Sequence, residues 1–260
     1  SHAKDRSYLT LALRGAHNKN KVLKISDSMK AYNERMDKEM LEGGKPVIKY
    51  YDGVSMNAIW AVPSLGIDPA TGREIYRKKD GRSTFTYDVN DMVICGDNLP
   101  KLNGSFSINL GYKGLGFNMT CIYELGAKMF NQTLIDRVEN VDMHYNVDRR
   151  VLEGRWQNPG DVVRFRSLKS YWDPETQTYP RDVQTKATSR FVQKKNELNI
   201  SSINISYDFY RYAFVKQIGL ERLSLAFYMN DVAKLSTIQT ERGLAYPFAR
   251  NYNFSLQMTF

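Results

Sequence analysis

The sequence predicts an all-β fold: an antiparallel transmembrane β-barrel segment of about ten strands, with long outside loops and one short loop helix. Three observations predict it. Apolar residues recur with a period of two along several stretches. Their polar partners are Ser, Thr, Asn and Gln more than Lys and Glu, which suits a wet lumen facing away from lipid. Short and long connections alternate, as short turns and long loops do at the two ends of an outer-membrane barrel. The period alone also fits a soluble sandwich, so a secreted β-rich binding protein and a small independent barrel remain the alternatives.

In chain order, Leu9, Leu11 and Leu13 alternate with Thr10, Ala12 and Arg14 in a first strand, and Gly15–Lys19 is a short connection. Ile25–Gly43 is the best helix. Ser26 or Asp27 can cap it, Met29, Tyr32, Met36 and Met40 share a face, and Gly43-Gly44 stop it. Asp52-Gly53 signals a tight turn, and Pro63–Asn103 is a long connection. Phe106, Ile108, Leu110 and Tyr112 form a strand, joined through Lys113-Gly114 to Leu115, Phe117, Met119, Cys121 and Tyr123. Leu125–Lys195 is the longest connection. Ile203, Ile205, Tyr207 and Phe209 follow in alternation. Leu198 and Ile200 are out of phase with them, which places a β-bulge near Ser201-Ser202. Tyr210–Leu220 connects to Leu223, Leu225, Phe227 and Met229, and Asp231–Arg250 leads to the last strand. Counting from Lys113-Gly114, the strand parity brings Phe260 to the same side as that turn.

Composition excludes several classes. With 42% hydrophobic residues, 17 tyrosines and 12 phenylalanines the chain is not disordered, and the aromatics suit sheets or membrane interfaces. No apolar run reaches the ~18 residues of a transmembrane helix, and the mean hydropathy of -0.51 is compatible with strands that are apolar only at alternate positions. Ser1-His2-Ala3-Lys4-Asp5 has no apolar signal core, so an exported protein needs residues upstream. The net charge of +9 raises a nucleic-acid partner. The basic residues are scattered, however, and the groups Lys19-Asn20-Lys21, Arg77-Lys78-Lys79 and Lys194-Lys195 read as solvated loops and strand ends, so no nucleic acid is expected. Cys95 and Cys121 make no metal motif; a disulfide is open to them in an oxidising periplasm, and their spacing favours two free thiols. His2, His17 and His144 form no HExxH pattern and no Ser-His-Asp set, so neither a metal, a cofactor nor an enzyme is expected. Glu139 and Asp142 read as solvated loop charges.

Five stretches resemble the SusC/RagA family of TonB-linked outer-membrane proteins, members of the TonB-dependent receptors. Tyr246-Pro247, Arg250 and Asn251–Phe260 resemble the closing barrel strand. Arg155-Trp156-Gln157-Asn158-Pro159-Gly160-Asp161 resembles the family's Arg-Trp-x-x-Pro-Gly-Asp loop. Gly66-Ile67-Asp68-Pro69-Ala70-Thr71-Gly72 resembles its Gly-Ile-Asp-x-x-Thr-Gly turn. Gly96-Asp97, Pro100 and Gly104-Ser105-Phe106 resemble the entry to a barrel strand, and Ser189-Arg190-Phe191-Val192 through Leu198 to Tyr207 resembles another strand. Phe165-Arg166 and Asn199 depart from the family pattern.

The resemblance implies that residues 1–260 are the C-terminal part of a plugged barrel of roughly 22 strands, with the plug and the N-terminal strands absent. It implies an importer of oligosaccharides or peptides, partnered by a SusD-like surface lipoprotein, the TonB complex and outer-membrane lipid. A fragment of this size is not transport-competent alone. The expected location is the outer membrane with Phe260 on the periplasmic side. Tyr252, Phe254, Leu256, Met258 and Phe260 resemble a barrel-insertion signal. Gly66, Asp68, Gly72, Arg155, Trp156, Pro159, Gly160 and Asp161 are the motif residues. Trp60, Trp156 and Trp172 are candidates for stacking on substrate, against the alternative that they pack within loops. The Asn131–Asp148 loop is expected to carry ligand or lid contacts.

Overall fold

The computed structural model describes residues 7–43, 46–141, 148–168, 185–239 and 251–260, without side chains over 40–43. Strand β1 (Tyr8–Ala16) is followed by helix α1 (Asp27–Gly43) and five short strands: β2 (Ala58–Ala61), β3 (Ser64–Ile67), β4 (Glu74–Arg77), β5 (Ser83–Thr84) and β6 (Val93–Asp97). The long strands β7 (Leu102–Tyr112) and β8 (Leu115–Phe130) come next. A short helix α2 (Gln132–Leu134) runs into a π-turn at Ile135–Glu139. After them come β9 (Val192–Asp208), helix α3 (Ala213–Gln217), β10 (Arg222–Ser236) and β11 (Tyr252–Thr259).

Six strands make one antiparallel sheet in the order β1-β7-β8-β9-β10-β11. The eleven described strands match the expected number, but only these six belong to the main sheet. The other five form a two-stranded ribbon, β2-β6, and a three-stranded sheet, β3-β4-β5. Gly15–Lys19 is not a short connection either. β1 pairs directly with β7, Tyr8 opposite Gly111, so the chain between them is one long excursion carrying α1 and both small sheets.

The connections segregate by end. Lys113-Gly114 joins β7 to β8 with positive φ at both residues, 46° and 94°, the backbone that a tight two-residue hairpin turn requires. The β9–β10 connection lies at this same turn end, and so does Phe260, after β11. The three long connections, β1–β7, β8–β9 and β10–β11, leave from the opposite loop end. The expected bulge is present. Thr120 faces Ser202 but Cys121 faces Ile200, and across the other ladder Asn230 faces Ser202 while Ala233 faces Ile200. Ser201 is thus skipped on both sides. That restores the apolar phase between Ile200 and Ile203, which a simple pleat would have put on opposite faces.

The buried core is not in the sheet. Its two clusters are Val62, Val89, Met92 and Ala187, and Leu134, Ile135, Val138, Phe165 and Phe191, all in the loop-end segments. α1 belongs to this assembly. Ser26 Oγ accepts from Met29 N–H at 3.3 Å, capping the helix as expected. Met36 is buried on the predicted face, whereas the Met40 side chain lies outside the described residues. Beside Met36, Asn33 is also buried. Its amide donates to Tyr50 O at 2.7 Å and accepts from Tyr50 N–H at 2.9 Å, so the helix holds the incoming chain as a strand neighbour would.

Candidate functional site

The sheet separates chemistry between its faces. Register places Leu9, Leu110, Phe117, Ile205, Phe227 and Phe254 in one transverse row, with Leu11, Ile108, Met119, Ile203, Met229 and Tyr252 in the next. The outer members of this face are bare: Leu13 is 77% and Phe254 75% exposed. A water-soluble sheet covers such a surface. The opposite face carries Thr10, Asn109, Asn118, Asn204 and Asn253 in one row, with Tyr228 between the last two. Asn118 Nδ2 donates to Asn109 Oδ1, while Asn204 Oδ1 has no partner. Toward the loop end this face becomes charged. Lys195 Nζ lies 2.9 Å from Glu124 and 3.1 Å from Glu197, and Lys234 Nζ 2.8 Å from Glu197. Lys195 is therefore ion-paired rather than a solvated strand-end charge.

The two loop motifs predicted from sequence meet each other. Pro69 O accepts both Gly160 N–H and the Trp156 indole N–H, each at 2.8 Å. Ser167 N–H donates to Gly72 O at 3.2 Å. Asp68 accepts from Thr71 Oγ1 at 2.6 Å and from Ala70 N–H, and these bonds hold its carboxyl below the usual range. Asp161 accepts from Gln157 and Asn158 N–H, both at 2.9 Å, fixing the turn that contains Pro159. The Trp156 ring lies over Gly72, where φ is +71° and an added Cβ would sit 2.6 Å from the ring. Gly66 also has positive φ, at 102°. Trp156 is thus committed to packing the two motifs together. Gly72→Ala meets both the backbone penalty and the ring, and is expected to loosen this contact by about 1–3 kcal/mol. The check is proteolytic cleavage between residues 154 and 168 of the whole protein, which should speed up with the sheet intact.

Arg155 is a carbonyl clamp. It is buried and donates to Val151 O at 2.7 Å, Arg166 O at 2.8 Å and the Val138 and Glu139 carbonyls that end the π-turn. Beneath it lies a buried ion cluster that the sequence did not reveal. Arg190 Nη2 lies 2.8 Å from Glu74 Oε2 and 2.6 Å from Glu139 Oε1, with all three side chains almost without solvent contact. Burial alone would lower the Arg190 pKa, but the two carboxylates more than reverse it and hold the group charged. Glu139 is therefore not the solvated loop charge expected of it. Nor is the Asn131–Asp148 segment a free loop at its start, because Asn131, Leu134, Ile135 and Val138 are buried there.

Trp60 lines an open cleft of about 550 Å³ with Asp37, Lys49, Tyr51, Met92 and Ile94. Its ring lies 5.0 Å from that of Tyr51, and Lys49 Nζ sits over both rings while paired to Asp37 at 2.6 Å. Trp172, His2, His144, Asp142, Tyr246, Pro247 and Arg250 lie outside the described residues. His17 Nδ1 is 2.5 Å from Lys101 O. Cys95 and Cys121 are free thiols, and no metal-binding group of three side chains occurs among the described residues.

No protein-family model matches the sequence. Among curated proteins the TonB-dependent receptor P39 of Formosa agariphila is 26% identical over 157 residues, covering 59% of this chain and 14% of the relative. Among solved structures, the RagAB peptide importer in its open-open state covers 100% of this chain and 27% of its own, with TM-score 0.68 and 13% identity. Its closed-closed state covers 92% and 25%, with TM-score 0.64 and 15% identity.

The chain carries an antiparallel sheet with the fold of a β-barrel portion of the RagAB importer. The proteins it resembles are a receptor and a transporter rather than enzymes. It spans about a quarter or less of their lengths. Among the described residues the six-stranded sheet is open at both edges, β1 and β11.

Proposed function

We propose that this chain is the C-terminal barrel portion of an outer-membrane TonB-dependent importer for oligosaccharides or peptides, working with a SusD-like lipoprotein. The observation that carries the reading is the inverted burial: an open sheet whose apolar face has bare outer members, and two buried hydrophobic clusters that both lie in segments at the loop end. Lipid is the solvent that such a face fits, and the Asn-rich face fits a wet lumen. β1 and β11 pair with further strands of the same barrel, since an open edge is an aggregation liability. The plug and the TonB contact belong to the rest of the importer.

The loop end faces outside and the turn end, with Phe260, faces the periplasm. β8 and β9 have 16 and 17 residues, against the ~9–11 needed to cross a bilayer, so their loop-end halves project beyond it. The alternating residues Tyr252, Phe254, Leu256 and Met258, with Phe260, serve as the insertion signal. Ligand and lid contacts fall to the loop assembly, where Trp60 in its cleft is the described tryptophan open to stacking. Epitopes placed at Asp80-Gly81 and at Lys113-Gly114 of the full-length protein test the topology. The first is expected to bind antibody on intact cells, the second only after permeabilisation. The reverse pattern overturns the orientation. Loss of growth on a glycan or a peptide source after gene deletion identifies the cargo class.

A further inference from the structure

We propose that the β9–β10 connection is a lipid-anchoring foot, seated at the headgroup–glycerol level of a phospholipid leaflet. The inference rests on the barrel reading above and adds a site, a depth and a lipid partner to it. Tyr207 ends the apolar face, in the row it shares with Leu115, Leu225 and Leu256. Directly beyond it, Phe209, Tyr212 and Phe214 join Tyr207 in one ring cluster. Tyr207 and Phe209 meet edge to face at 4.9 Å, and Phe209 touches Tyr212 and Phe214 at 6.0 and 6.1 Å.

Such a cluster in a soluble protein would be a core, yet Tyr212 is 48% and Phe214 41% exposed. The connection is nonetheless ordered. Val215 and Leu220 are buried beneath it, Leu220 N–H donates to Val215 O at 3.0 Å, and Phe209 N–H extends the ladder to Leu223 O at 2.9 Å. The rings are held outward by a pinned turn, so their exposure is built in.

The polar groups fit an interface rather than a hydrocarbon interior. The Tyr207 and Tyr212 hydroxyls lie 3.2 Å apart, giving the apolar cluster one wet edge. In sequence the turn end carries Lys113, Arg211, Lys216 and Arg222 against Asp208 and Glu221, with Asp208 paired to Arg222 at 2.7 Å. The balance is cationic, as anionic headgroup phosphates require. Apolar rings with hydroxyls at one edge and basic side chains beyond them match the layering of a bilayer surface from acyl chain to phosphate.

The test uses the full-length protein in phospholipid vesicles carrying bromine either near the ester or near the methyl end of the acyl chain. Tryptophan is introduced by Phe214→Trp and, separately, by Phe227→Trp within the apolar face, and each signal is taken as the difference from the parent protein. For Phe214→Trp, shallow bromine is expected to quench at least twofold more than deep bromine, with little quenching by aqueous acrylamide. Phe227→Trp, one row further in, is expected to be quenched by lipid bromine with a larger deep-to-shallow ratio than Phe214→Trp. If Phe214→Trp answers only to acrylamide, to deep bromine or to neither lipid, the foot is overturned while a lipid-quenched Phe227→Trp leaves the barrel standing. If neither position answers to lipid, the barrel reading falls with it.

Discussion

Replacing Arg190 by alanine is expected to collapse the loop assembly while leaving the six-stranded sheet paired. The guanidinium is the only group placed between Glu74 and Glu139 among the described residues, and both carboxylates are buried. Arg166 Nε stands 3.7 Å from Glu139 and is too far to replace it. Removing one member of a buried ion cluster strands the others without water, which costs about 3–5 kcal/mol. The carboxylates answer from β4 and from the π-turn, so the three loop segments part together. Arg190→Lys keeps the charge but loses the fork that reaches both partners, and is expected to recover part of the loss. Adding Glu74→Gln and Glu139→Gln to Arg190→Ala is expected to recover part of it too, because the uncompensated charge is gone. The measurement is limited proteolysis and thermal unfolding of the whole protein in detergent. Unchanged cleavage and melting in Arg190→Ala would show that the cluster stabilises nothing.

This cluster also marks the limit of what sequence could show. The Arg190–Glu74 pair spans 116 residues and the Arg190–Glu139 pair 51, and no period or turn signal links such positions. Glu139 looked solvated because loop sequence carries no record of which face is covered. Local chemistry was legible. Positive φ at Lys113-Gly114, the skipped residue at Ser201 and the alternation of Leu9 with Thr10 follow from rules that act over a few residues. The four-residue strands β2, β3 and β4 were missed because each is too short to show a period and lies among Pro and Gly. The Arg155–Asp161 and Gly66–Gly72 motifs were found as separate turns. Only the fold shows that Trp156 lies over Gly72 and binds one to the other.

The assignment of the two sheet faces makes the other large prediction, and neighbouring residues test it. Met119 lies on the apolar face near mid-span, in the row from Leu11 to Tyr252, and Asn118 lies on the opposite face between Asn109 and Asn204. One residue along a strand exchanges lipid for lumen. Met119→Arg puts a cation into the hydrocarbon layer, which costs about 2–4 kcal/mol near the midplane of a barrel. The folded fraction of the full-length protein, read from its mobility on unheated detergent gels, is expected to fall at least tenfold. Asn118→Lys loses the amide contact to Asn109 but keeps its charge in water, and the folded fraction is expected to stay within about twofold, a few tenths of a kcal/mol. The order of the two effects is what the fold dictates. A soluble sandwich with the Asn face in water would also reject Met119→Arg, but it would do so without detergent or lipid. The comparison is therefore repeated in vesicles of increasing acyl-chain length. A penalty that grows as the hydrocarbon layer thickens assigns the face to lipid, whereas one that ignores thickness assigns it to a protein partner.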